Sequence, residues 1–351
     1  MLRRIFMLLI LYTVNCAAFA QDPVFSQFYN SPLYLNPAFS GCGKNDLRLC
    51  LSSRLQWLSL PTPLQYHSVS IDKFSHKLNA SAGLIMNRFN EGYLKTTHVS
   101  LIGAKSFGSN ENACADWFLN FAIQLGFTRK NVDKSKLLFS DQIGQSGPTG
   151  LPSAVELYQY ASRTYFDVSA GFLFTYRNWM VGTAGYHLSQ PNNGLIGSTD
   201  QSRLPYRVTI HASYIYDQYA TSEGMVVIKP TAIFQLQDVS RSLTIGSLFD
   251  LPDRFLEFGI WYRNNIGIIN NHSLSIGVNI KLGRDKNYYH AEPSSRYRAG
   301  LSYDAELNRP GVRYTSGSTE LGLLYEKNLN NDDVCPKPYG ECETRFPWVF
   351  H

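Results

Sequence analysis

The strongest constraint on this chain is an alternation of apolar and polar residues with period two, repeated along most of its length. In "DLRLCLSSRLQW", Leu47, Leu49, Leu51, Leu55 and Trp57 share one face, and Arg48, Cys50, Ser52, Arg54 and Gln56 share the other. In "WFLNFAIQLGFT", Trp117, Leu119, Phe121, Ile123, Leu125 and Phe127 oppose Asn120, Ala122, Gln124, Gly126 and Thr128, with Phe118 out of phase. "YFDVSAGFLFTY", the run from Tyr206 to Tyr216, and the run from Leu274 to Leu282 follow the same rule. Successive side chains of a strand point to opposite faces, so each segment has one greasy and one wet face.

Strands are expected near 46–57, 64–72, 79–89, 94–107, 115–128, 164–177 and 178–188, then near 205–218, 223–236, 241–249, 254–264, 271–282, 296–304 and 319–327. Several reach the roughly 9–11 residues that a tilted strand needs to cross a bilayer. A soluble sandwich also alternates. The even count, the strand length and the aromatic ends (Trp57, Trp117, Tyr176, Tyr216, Tyr262) favour an outer-membrane barrel with interfacial girdles. In hydrocarbon every backbone donor and acceptor needs a partner, and closure leaves no edge. The predicted fold is therefore an all-β transmembrane barrel of about 14 antiparallel strands.

If the greasy faces meet lipid, Arg48, Arg54, Asp72, Asp167, Arg207, His211, Glu257, Arg263, Arg298 and Asp304 point into the lumen. Charges of both signs suggest interlocking ion pairs or a wet interior, not a pore steered by one sign. The long polar segments 129–163 and 189–204 read as external loops.

The first twenty residues read as a secretory signal peptide: Arg3 and Arg4, an apolar core from Ile5 to Val14, and Ala18-Phe19-Ala20 before the cut. Lipidation at Cys16 is disfavoured because Asn15 is larger than the small residue such processing wants. The formal charge of +5, less Arg3 and Arg4, leaves +3, too little to argue for nucleic acid. Cys335 and Cys342 are the expected disulfide in an oxidising compartment, with Cys42–Cys50 a weaker pairing. Without CxxC or clustered His, neither metal nor cofactor is expected. No G-x-S-x-G, H-E-x-x-H or Walker A motif is present, and the histidines are scattered, so the chain reads as non-enzymatic.

The remaining features lie at the chain ends. Residues 21–45 form an arm rich in aromatics and prolines, "QDPVFSQFYNSPLYLNPAFSG" at its start, followed by the barrel at 46–328. Phe25, Ser26, Gln27, Phe28, Tyr29, Asn30, Pro32, Tyr34, Asn36, Pro37 and Phe39 are its candidate plug or docking residues. Each proline lacks an N–H and disfavours α conformation in the residue before it, so the arm is a poor helix or central strand. Residues 329–351 form a tail with Phe346, Trp348, Val349 and Phe350, expected on the periplasmic side together with the arm, because both strand termini of an even barrel lie there.

The opening stretch resembles the signature of the PorP/SprF family of type IX secretion and gliding proteins. "AGLSYDAELN" and "STELGLLYEKN" are similar to that family's last two strands, with Gly300 to Asp304 as its Gly-x-Ser-Tyr-Asp element. "RLQW" (Arg54 to Trp57), followed by Pro61 or Pro63 and Ser68 to Asp72, fits as well. So does "DLPDRFLEFGIWYRNN", which carries Tyr262-Arg263. The resemblance implies an outer-membrane protein of a Bacteroidetes-type bacterium. Its partners would be outer-membrane lipid, the periplasmic ring and lipoprotein subunits of the secretion machine, and secreted surface cargo such as adhesins. The residues alone leave a second possibility, a hatch-plugged channel for small apolar ligands.

Overall fold

The structure is a computed structural model that describes residues 22–42, 46–75, 77–108, 117–133, 137–145, 147–151, 153, 162–195, 203–221, 224–251, 255–266, 271–282, 295–308, 311–327 and 329. The expected signal peptide, Cys114, the Cys335–Cys342 pair and all but the first residue of the tail lie outside these residues.

A closed antiparallel barrel of 14 strands dominates the chain. In order these are β1 (Leu47–Gln56), β2 (Leu64–Ser75), β3 (Ala80–Glu91), β4 (Leu94–Gly108), β5 (Trp117–Val132), β6 (Ser162–Tyr176) and β7 (Trp179–Tyr186). Then come β8 (Arg207–Tyr214, continuing as Tyr216–Thr221), β9 (Gly224–Gln237), β10 (Ser240–Leu251), β11 (Leu256–Ile266), β12 (Asn271–Leu282), β13 (Ser295–Glu306) and β14 (Ser318–Lys327). Each strand pairs with its sequence neighbours, and β1 closes on β14 from Leu47↔Lys327 to Gln56↔Ser318. A two-residue hairpin, Ile143–Gly144 with Gly147–Pro148, sits in the connection after β5. One strand departs from the pattern. β8 is interrupted at Ile215, which is fully buried and exchanges hydrogen bonds with Asn178 at 3.0 Å.

Side chains sort as the alternation requires. Leu101, Phe127, Leu301, Ile276 and Ile123 stand outside with 48–67% of their surface exposed. Arg48, Arg54, Asp72, Asp167, Arg207, His211, Glu257, Arg263, Arg298 and Asp304 are all buried on the inner face. Exposed rings collect near both strand ends: Phe107, Tyr176, Trp179 and Tyr297 at one, Phe127, Phe166, Tyr206, Tyr262 and Tyr303 at the other. Such girdles suit a headgroup interface. Trp57 is not among them. It follows β1 with φ of 60°, and its indole N–H donates to the inward carboxylate of Glu306.

The barrel begins and ends at the same rim, since Leu47 lies opposite Lys327. In an even-stranded outer-membrane barrel that rim is periplasmic, and the opposite rim, which carries the long connections 133–161 and 187–206, faces outward.

Candidate functional site

The lumen is filled by the chain's own N-terminal segment. From Phe25 to Ser40 every residue is buried except Tyr34, which is half-buried. The prolines do not exclude helix here. Pro32 opens a single α-turn (Pro32–Leu35) and Pro37 a 3₁₀ turn (Pro37–Phe39), after an earlier 3₁₀ turn at Phe28–Asn30. The first helical N–H has no intrahelical partner, so proline costs nothing there. In so short a turn the irregular backbone must find partners elsewhere, and the barrel wall supplies them.

The arm does not stay at the periplasmic mouth. Its first described residue, Asp22, lies at the outward rim, bonded to His187 beyond β7, to Arg207 on β8 and to Gln237 on β9. Its last turn lies at the opposite rim, where Arg48 donates to the Phe39 carbonyl at 2.6 Å and Gly41 N–H reaches Asp72 at 2.8 Å. The described part of the arm runs the whole lumen, from Asp22 at the outward rim to Gly41 at the opposite one.

Three clusters fix it. Near the outward end of β1, Glu320 accepts the backbone N–H groups of Ser26 and Gln27 at 2.7 and 3.0 Å. Arg54 holds Asp304 at 2.5 Å, Glu320 at 3.4 Å and the Ser26 hydroxyl at 2.9 Å, and Arg263 adds a bond to that hydroxyl at 3.1 Å. Halfway down, Tyr29 stacks on Trp261 with ring centres 5.3 Å apart, and Phe28 meets the same indole edge-on at 5.5 Å. On the facing wall, Asn36 donates to the Phe172 and Thr183 carbonyls and sits 3.1 Å from His211 Nε2. Phe39 stacks on the His211 ring at 5.2 Å.

Glycines make room for this. A Cβ on Gly171 would lie 2.1 Å from Asn36 Oδ1, and one on Gly300 would lie 2.4 Å from Gln27 Oε1. On Gly322 it would meet Asn30 Nδ2 at 2.6 Å. Real side chains do not approach so closely. These wall positions are small because the arm's amides occupy the space.

Remaining lumen charges pair among themselves. Arg48 grips Asp72 at 3.0 Å, and Arg298 reaches Glu257 at 3.0 Å. Lys229 and Lys281 share Asp250, with Glu257 4.0 and 3.8 Å away. Buried charges stand only when paired. Glu320, Lys229, Asp250 and Lys281 were not singled out from sequence, although their phase in the alternation places them inside. Cys42 and Cys50 keep their thiols instead of bridging, and Cys42 Sγ lies 3.3 Å from the Ala38 carbonyl. No cluster able to hold a metal occurs among the described residues.

The outward latch has its own electrostatics. His187 Nδ1 lies 2.6 Å from Asp167 and its Nε2 lies 2.8 Å from Asp22. Both ring nitrogens can donate only in the imidazolium. Burial alone would lower the His187 pKa, but the Asp22 charge and the two carboxylate hydrogen bonds outweigh it and raise it to about 9. Burial alone would raise Asp22, yet His187 and Arg207 hold it well below the usual carboxylate range. A raised folded pKa gives stability that is complete below the ordinary value of 6.5 and is lost as pH rises through about 9. A dye on Val24→Cys is therefore expected to gain mobility, read by anisotropy, as pH rises across that interval. In His187→Gln the dye should be mobile throughout, with no such transition.

Solved structures that align with the chain include the CymD monoaromatic hydrocarbon channel, 11% identical over 90% of this chain and 95% of that one, with a TM-score of 0.48. The P. putida toluene transporter TodX is 9% identical over 86% and 95%, with a TM-score of 0.45. A KdgM porin is 8% identical over 81% and 99%, with a TM-score of 0.31. No curated protein matches significantly. The family described as type IX secretion system membrane protein PorP/SprF matches residues 17–325, which takes in the arm and nearly all of the barrel. A closed barrel with a lipid-facing belt and that family match place the protein in the outer membrane. The chain belongs to the PorP/SprF family of type IX secretion system membrane proteins.

Proposed function

We propose that this barrel serves the type IX machinery as a docking component, supporting secretion or surface attachment of cargo such as adhesins without conducting solutes itself. Membership of the family makes it a membrane barrel of that system, non-enzymatic in kind. The observation that carries the finer reading is the arm. It occupies the lumen from rim to rim, and buried ion pairs, aromatic stacking and backbone contacts to the wall hold it there. A barrel built to pass solutes gains nothing from so fixed a filling. A barrel built to present surfaces gains rigidity. The outward loops and the arm's outward end would meet cargo, and the periplasmic rim and tail would meet ring and lipoprotein subunits.

Cross-linking followed by affinity purification from native membranes tests this. Ring or lipoprotein subunits, or surface cargo, are expected in the eluate. Recovery of the barrel alone under conditions that preserve the ring would overturn it. The second reading, a channel for small apolar ligands, is favoured by one feature: a cleft beside the arm at the outward rim, lined partly by Leu33, Ile85, Phe89 and Leu94.

A further inference from the structure

We infer that this outward cleft is a binding site for a small uncharged molecule with an apolar, ring-sized body and hydrogen-bond donors. The site is independent of any docking role. The cleft opens to solvent and lies between the arm, which contributes Asp22, Pro23, Leu33 and Tyr34, and the wall formed by β3 to β6.

Two observations set the chemistry. First, the charges lining the cleft balance. Asp22, Glu91 and Asp167 face Lys130, Arg207 and the imidazolium of His187, and Asp22 and Asp167 are already engaged by His187. A charged ligand would have to break that balance, whereas an uncharged one would not. Second, two buried amides among the residues lining the cleft have carbonyl oxygens with no protein partner: Asn87 Oδ1 on β3 and Gln124 Oε1 on β5, in residues only 4% and 3% exposed. Gln124 is oriented by His98, whose Nε2 lies 3.3 Å from its Nε2 and whose Nδ1 lies 2.7 Å from Thr128 Oγ1. A buried acceptor left unpaired is costly, and a ligand N–H or O–H relieves that cost. Aromatic and aliphatic surface from Tyr34, Phe89, Tyr165 and Tyr186 covers the rest of such a molecule. The arm closes the floor, so the site retains a ligand from outside without passing it on.

The test uses the full-length protein in an uncharged detergent, with indole and its donor-less isostere benzofuran as probes in calorimetry or saturation-transfer NMR. Indole should bind one saturable site per barrel, at least about tenfold more tightly than benzofuran, because a site built around acceptors penalises a ligand that cannot donate. Asn87→Leu with Gln124→Leu should bring indole down to the benzofuran level. Thr96→Trp, which fills the cleft from a half-buried position of its lining, should abolish both. Equal, non-saturating uptake of the two probes would overturn the assignment. So would indole binding that survives Thr96→Trp.

Discussion

Replacing Gly300 and Gly322 by valine is expected to turn a closed barrel into a conducting one. The two glycines face each other across β13 and β14, and their register pair lies directly beneath Gln27 and Asn30. A Cβ at Gly300 would sit 2.0 Å from Asn279 Oδ1 and 2.4 Å from Gln27 Oε1, and one at Gly322 would sit 2.8 Å from Gln27 Oε1. Overpacking a filled interior costs roughly 1–3 kcal/mol per site, and the wall cannot yield because its ladder is closed. The arm is the element free to move. Planar-bilayer recording should show no steady conductance for the native protein and stable openings for the double variant. Folded-barrel migration on a semi-native gel should be unchanged. A silent double variant that still folds would mean the arm tolerates the crowding.

The second large effect is expected at Arg54. Its side chain is 5% exposed and lies between Asp304 and Glu320, which are themselves buried. Arg54→Met leaves two carboxylates side by side with no direct cation. Removing one partner of a buried charge cluster costs about 3–5 kcal/mol. The loss should appear as a lower midpoint in urea unfolding in vesicles. It should also free the Ser26 end of the arm, because Glu320 accepts that backbone directly. Adding Glu320→Gln to Arg54→Met should recover most of the stability, since the cluster then keeps one buried cation, Arg263, and one buried carboxylate, Asp304. Failure of the double variant to recover would place Arg54's role in packing instead of charge.

How much of this was legible in the sequence differs between wall and arm. All fourteen strands fall close to the alternating segments, because lipid outside and polar lumen inside enforce period two at every position. The same phase placed Arg48, Arg54, Arg207, Glu257 and Asp304 inside, and would have placed Glu320 and Lys229 had it been followed further. The arm carries no period. Its partners are carbonyls of Phe172 and Thr183, and glycines such as Gly171 and Gly300, scattered over the chain. A glycine on a wet face looks the same whether it meets water or a buried amide. Only the three-dimensional route shows that the arm reaches from Asp72 at one rim to His187 at the other.

The most direct test of a closed docking barrel is solute flux through the intact protein. Reconstituted into liposomes and challenged with small sugars in a swelling assay, the full-length protein should leave the vesicles impermeable. A version lacking residues 22–41 should admit the sugars, which shows that the assay can detect the open lumen. Robust sugar uptake by the intact protein would contradict the docking reading and leave a transport barrel in its place.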